Sequence, residues 1–154
     1  MTADPDARLD IVPVWRTVND MLVELVDTVP HERMDWSPKP ELWSFQRLFV
    51  HLCDAREEWM TRAINDGEAN TGFKDVQDKA QIKDALRRTW ERVERTVTDQ
   101  TRMDALYRDR WWNGAPLRSG HWVAFHLLEH DIHHRADVFL YLALLGIETP
   151  VVST

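Results

Sequence analysis

Apolar side chains return at intervals of three and four residues in four separate stretches of the chain. From about Arg8 to Thr28 the repeat runs through Ile11, Val14, Trp15, Val18, Met21, Leu22, Leu25 and Val26, the signature of an amphipathic helix. Pro30 ends it, because proline cannot continue a helix. Ser44 reads as the N-cap of a second helix with Phe45, Leu48, Leu52, Ala55, Trp59 and Ala63 on one face. The stretch "NDGEANTG" breaks that helix with two glycines. A third helix is predicted from Lys79 to Thr98. It has a narrow stripe of Ile82, Leu86, Trp90, Val93 and Val97, and its other faces are charged. Ser119 reads as the cap of a fourth that ends near Gly146, a residue type suited to a left-handed C-terminal turn, with Pro150 beyond. No stretch alternates as a strand would. The pattern predicts an all-α, four-helix bundle in a single domain over residues 1–154. Two long connections, 29–43 and 102–118, carry or adjoin Trp36, Trp43, Trp111 and Trp112. Long loops in compact domains are often functional.

Composition narrows the partners. The chain has 154 residues, 44% of them apolar, enough for a core without disulfides. Its net charge is −7 and no Lys/Arg cluster appears, which argues against nucleic-acid binding. The single cysteine, Cys53, excludes an internal disulfide and suits a reducing, cytoplasmic setting. The start, "MTADPDARLD", is acidic and polar and does not read as a signal peptide. No apolar run approaches the roughly 20 residues a membrane span needs. Arginine far outnumbers lysine, a weak hint of a GC-rich bacterial genome.

The candidate chemistry sits in "HLLEHDIHHRADVFLYLALLG", which places four of the seven histidines, His126, His130, His133 and His134, on the predicted fourth helix. At about 100° per residue these four and Asp137 share an arc of about 100°, with Asp131 and Arg135 turned the other way. Val123, Tyr141 and Leu144 lie in the same arc, so the imidazoles stand on a face that is otherwise apolar. Burying imidazoles is costly unless each finds a partner, and a divalent cation satisfies several at once. His130 and His134, four apart, project side by side and can chelate one ion at about 2.0–2.1 Å. A third ligand must come from elsewhere, and His51, the one histidine in the second helix, is the leading candidate. The competing reading is a set of structural or surface histidines without metal.

Two segments together resemble a known family. "ELWSFQRLFVHLCDAREEW" resembles the Trp-Ser, His, then acidic-and-aromatic pattern of the DinB/YfiT-like superfamily of metal-dependent enzymes. "HLLEHDIHHRADVFLYLALLG" resembles its C-terminal His-x-x-x-His-Arg-Gly-Gln motif with an apolar run ending in Leu-Gly. The resemblance spans nearly the whole chain. It implies an up-down-down-up four-helix bundle and a three-histidine site for a divalent metal ion made by His51, His130 and His134. It also implies a metal-dependent enzyme acting on a small molecule. The candidate activities are transfer by a low-molecular-weight-thiol S-transferase, or hydrolysis, with zinc, nickel, manganese or iron as the ion. A non-catalytic metal- or small-ligand-binding stress-response protein is the alternative. A di-iron bundle fits less well, because no Glu-x-x-His occurs. The family's Gly-Gln is Ala136-Asp137 here, and His126 and His133 are additional imidazoles. His126, His133 and Asp137 are therefore candidates for supporting the ligands or moving protons.

Other groups carry weaker expectations. Cys53 lies roughly opposite His51 and reads as core filler. Asp54, Glu58 and Glu129 are candidate bases, each competing with a role as a solvated charge. Trp111 and Trp112 are candidates to cover the mouth of the metal site. The fourth helix is apolar nearly all round from Val138 to Leu145, which predicts burial on every side, by a central position or a dimer contact; the family resemblance favours a homodimer.

Overall fold

The computed structural model describes residues 10–64, 67, 73, 76, 78–108 and 116–150. Its elements are α1 (Val12–Thr28), a 3-10 turn (His31–Arg33), α2 (Phe45–Arg62), α3 (Lys79–Val97), the short α4 (Gln100–Asp104), β1 (Leu106–Tyr107), β2 (Arg118–Ser119) and α5 (Gly120–Leu144). Polar caps set the starts of three long helices. The Ser44 hydroxyl accepts from Arg47 N at 3.3 Å and that of Ser119 from Trp122 N at 3.2 Å, while the Asp78 carboxylate accepts from Ala80 N at 2.9 Å. At the end of α5, Gly146 adopts φ +68° and Ile147 N donates to Leu142 O at 3.0 Å, closing the helix as the glycine predicts.

Packing around the bundle runs α1–α3–α2–α5, each helix beside the next and α5 beside α1. Lys79 at the start of α3 reaches the carbonyl of Val29 after α1, and Gln46 of α2 reaches Val76 O at 3.2 Å. Tyr141 near the end of α5 meets Phe45 at the start of α2, with ring centres 5.5 Å apart. The end of α1 thus shares one end of the bundle with the starts of α2 and α3 and the end of α5. That is the up-down-down-up order. Trp15, Leu22, Leu25, Phe49, Leu52, Leu86, Val93, Leu127 and Val138 form one apolar cluster between the four long helices. No helix among the described residues is long and apolar enough to cross a membrane.

The helix boundaries differ from the periodicity in two places. α1 begins at Val12 rather than Arg8: Ile11 is the N-cap residue and Pro13 lies in the first turn, where its missing N–H costs nothing. Arg8 itself lies outside the described residues. The segment expected as one loop, 102–118, overlaps α4 and contributes both strands. β1 and β2 pair antiparallel, Leu106 opposite Ser119 and Tyr107 opposite Arg118. Two-residue strands are too short to display an alternating pattern. Within the single chain the fourth helix is covered on part of its surface. Val138, Tyr141 and Leu142 are buried, but Leu140 and Leu144 are 56% and 61% exposed.

This pairing delivers the chain into α5 through a close approach. Gly120 N donates to Ala105 O at 3.2 Å. A Cβ on Gly120 would lie 2.4 Å from Arg102 O and 2.6 Å from Met103 Cα, both backbone atoms with little room to yield. Gly120→Ala is therefore expected to cost roughly 1–3 kcal/mol, read as a lower urea midpoint. An unchanged midpoint would show that the α4–α5 contact is loose.

Candidate metal centre

His51 on α2 and His130 and His134 on α5 face one another across the α2–α5 contact. One nitrogen of each ring lies within 4.8 Å of the other two. The Nε2 atoms of His51 and His130 are 2.9 Å apart. Ring centres are 4.9 Å apart for His51–His130 and His51–His134, and 4.6 Å for His130–His134. The last distance follows from i, i+4 placement on one helix. The others require α2 and α5 to be neighbours.

The donor set fits a divalent cation. Two ligands about 2.1 Å from one ion stand roughly 3.0 Å apart at a right angle and ~3.4 Å apart at the tetrahedral angle. The 2.9 Å separation matches the first and is shorter than the second. Protonation favours it too. Burial pushes the His51 imidazole down to about 4, helped by His130, His134 and Arg47. Burial also lowers His134, against a smaller opposing pull from Asp137. Neutral imidazole is the form that binds metal. Asp137 Oδ2 lies 3.0 Å from His134 Nδ1, so it accepts the Nδ1 proton and leaves the Nε2 lone pair available. A second grouping, His133, His134 and Asp137, also has close ligand atoms. It shares His134 with the first, its carboxylate already serves that ring, and the His133 side chain is 66% exposed. The three-histidine set is the better cage.

Aromatic groups wall the centre. Trp43 meets His51 edge-on at 4.4 Å and stacks on His134 at 5.8 Å. A cavity of about 350 Å³ opens beside them, lined by Trp43, Arg47, Val50, His51 and Asp54. Another, of about 310 Å³, is lined by Trp43 together with His133, His134 and Asp137. The wall observed is thus Trp43. Trp111 and Trp112, expected at the mouth, lie outside the described residues.

The remaining candidates separate. His126 stands apart from the three, stacked on Trp122 at 5.2 Å and against Trp59 at 4.9 Å. Glu129 is exposed, 3.6 Å from His126, and Glu58 is exposed, 3.4 Å from Arg62. Asp54 is half-buried on the cavity wall. Cys53 is buried in the core, and burial pushes its thiol up to about 12, so it stays protonated.

Asp131 is the residue that sequence reasoning placed wrongly in importance. Turned away from the histidine arc, it enters the core and is fully buried, as is Arg56 of α2. Its Oδ2 accepts from Trp15 Nε1 at 2.6 Å and from Arg56 Nε and Nη2 at 3.0 and 2.7 Å. Arg56 Nη1 donates to Asn19 Oδ1 at 2.9 Å and to Leu86 O at 3.1 Å. Burial alone pushes the Asp131 carboxyl up, but the Arg56 charge and the hydrogen bonds to it prevail and hold it below the usual carboxylate range. The signal was available. Asp131 lies four residues after Leu127 and seven before Val138, on the core stripe of α5.

The DinB family sequence profile matches residues 5–154. This chain belongs to the DinB family. DinB-like structures share the fold. A DinB-like protein from Bacillus subtilis superposes with TM-score 0.73 at 18% identity, covering 94% of this chain and 97% of that one. One from Bacillus cereus gives 0.72 at 14% identity, over 93% and 95%. A structure assigned to the DinB family from Exiguobacterium sibiricum gives 0.72 at 18%, over 94% and 98%. No curated protein matches. Membership in the DinB family agrees with the resemblance of the two histidine-bearing segments, and the histidine cluster able to hold a metal lies on the helices that carry them.

Metal-free protein should show the buried imidazole in its pH dependence. The folded-state value for His51 lies near 4, below the ~6.5 of an unfolded chain. Between these values the unfolded state binds more protons, so stability falls as pH falls. Chelator-treated protein is expected to lose urea resistance from pH 7.5 to 5.5, and His51→Gln to show a shallower loss. Equal slopes would remove His51 as the source.

Proposed function

We propose that this DinB-family protein is a metal-dependent enzyme acting on a small molecule, either a low-molecular-weight-thiol S-transferase or a hydrolase. The observation that carries this reading is the convergence of His51, His130 and His134 beside an open cavity. A zinc, nickel, manganese or iron ion held there would act as a Lewis acid and lower the pKa of a bound water or thiol. Imidazoles suit several of these metals.

The chain's own residues supply the rest. His51, His130 and His134 bind the ion, and Asp137 orients His134. Trp43 excludes water from one side. Arg47 lines the cavity with its guanidinium 5.1 Å from the Trp43 ring centre, a place for a carboxylate of the substrate. That local cation matters because the protein is acidic overall and does not steer anions from a distance. Asp54, about one turn along α2 from His51, is assigned the role of proton acceptor on the cavity wall. His133, exposed beside Asp137, is placed to pass protons to solvent. The chain's one thiol, Cys53, is buried and protonated, so the thiol of an S-transferase must come from outside; the alternative is a non-catalytic metal- or small-ligand-binding protein of a stress response.

We also propose a homodimer. Phe125, Ile132 and Leu140 on the outer side of α5 are 63%, 38% and 56% exposed. Their spacing puts them on one side of the helix, a stripe that a second copy can cover.

Metal analysis of protein purified without a His-tag is expected to find one divalent ion per chain. His130→Ala should lose most of it and His31→Ala none. Equal content in the two variants would sink the ligand assignment. Activity with low-molecular-weight thiols should vanish on chelation and return with added metal, whereas activity that survives full metal removal would refute the mechanism. Light scattering at high micromolar concentration should give twice the chain mass, with Leu140→Glu shifting it towards the monomer. A monomeric wild type would remove the dimer.

A further inference from the structure

His130 and Asp131 are neighbours in sequence that belong to different environments, one on the metal cleft and one in the core. Among the described residues, two buried side-chain polar atoms have no hydrogen-bond partner: His130 Nδ1 and Asp131 Oδ1. They are 4.0 Å apart. Buried polar atoms are rarely left unsatisfied. A bridging water at normal hydrogen-bond lengths would have to be bent to about 90° to span 4.0 Å, so a direct bond is the better fit. The gap is about 1 Å longer than a direct N–H···O bond, which a small rotation of the imidazole closes.

We infer that Asp131 is a positioning residue for His130: its Oδ1 accepts the Nδ1 proton of the ring and so fixes the tautomer that presents the Nε2 lone pair to His51 and His134. This rests on the reading of the three histidines as a metal centre. Of the two neutral forms of the ring, the surroundings allow one. With the proton on Nε2, a bare nitrogen lone pair would face a bare carboxylate oxygen, both out of water. With the proton on Nδ1, a donor faces an acceptor.

The carboxylate cannot turn away. Its Oδ2 already takes Trp15 Nε1 and both Arg56 donors. Arg56 is itself held by Asn19 and by Leu86 O and Thr89 Oγ1, at 3.1 and 3.4 Å. The orientation of a ligand on α5 is thus set by side chains from α1, α2 and α3. In the metal-free protein, the 2.9 Å contact between the His51 and His130 Nε2 atoms then requires the proton on His51, which donates to His130.

The test is long-range ¹H–¹⁵N correlation of the metal-free protein, combined with zinc affinity measured by competition with a chromophoric chelator. Wild type should show His130 protonated on Nδ1. In Asp131→Asn the oxygen of the new amide stays with Trp15 and Arg56, so its NH₂ faces Nδ1 and donates. The His130 proton should move to Nε2, and zinc affinity should fall roughly 10- to 100-fold. Leu25→Ala, a core truncation outside this network, should lower the urea midpoint and leave tautomer and affinity unchanged.

A wild-type His130 protonated on Nε2 overturns the inference, and needs no variant to fold. An Asp131→Asn protein with unchanged zinc affinity overturns it as well. If the tautomer reverses but wild type binds no zinc, the positioning role stands and the metal centre does not.

Discussion

A guanidinium and a carboxylate with no exposed surface sit together at the middle of this bundle, and the arrangement of its helices depends on them. The Arg56–Asp131 pair joins α2 to α5, and through Trp15, Asn19 and Leu86 it reaches α1 and α3. Taking two charges out of water is expensive, and their attraction offsets that only when the remaining donors and acceptors are also matched. Here Arg56 has acceptors on three helices. Removing one partner would strand the other charge, at about 3–5 kcal/mol. Apolar packing tolerates sliding of one helix past another, whereas this network is satisfied in one register.

That register also places the histidines. His51 is more than one turn before Arg56 on α2, and His130 adjoins Asp131 on α5. Once the charged pair locks α2 against α5, the imidazoles must meet at the edge of the same contact. They are half-buried rather than buried, which lowers the His51 and His134 imidazoles below their ordinary range while leaving a cavity at their side. Rigid helices hold a ligand set more closely than loops do. The loop contribution is Trp43, and it too is fixed: Phe45 N and Gln46 N donate to Trp36 O and Met34 O at 3.3 and 2.9 Å, pinning the 29–43 connection to the start of α2.

Much of this was readable from one-dimensional pattern. The four long helices follow from apolar spacing, and Ser44, Ser119 and Gly146 mark ends where the structure has them. These signals are local, because a cap bonds within its first turn and an amphipathic stripe needs only helical periodicity. The early start assigned to α1 and the missing β1–β2 pair show the limit. Hydrophobic spacing does not see a proline-led first turn or a two-residue strand.

The sequence by itself determined which residues could chelate. Two imidazoles four apart on a helix are neighbours whatever else the chain does, and His51 had one helix to occupy. What only the tertiary structure decided was which partners stand behind them. Asp131 looked like a polar residue turned away from the site, yet it is the centre of the core and the neighbour of a histidine in the cleft. Arg56 is one charge among several on α2, and the apolar pattern does not single it out. A buried charge is intelligible only with its counter-charge, and that partner lies 75 positions away in sequence. Periodicity assigns a face to each residue, but the pairing of two faces is set by three-dimensional contact between helices.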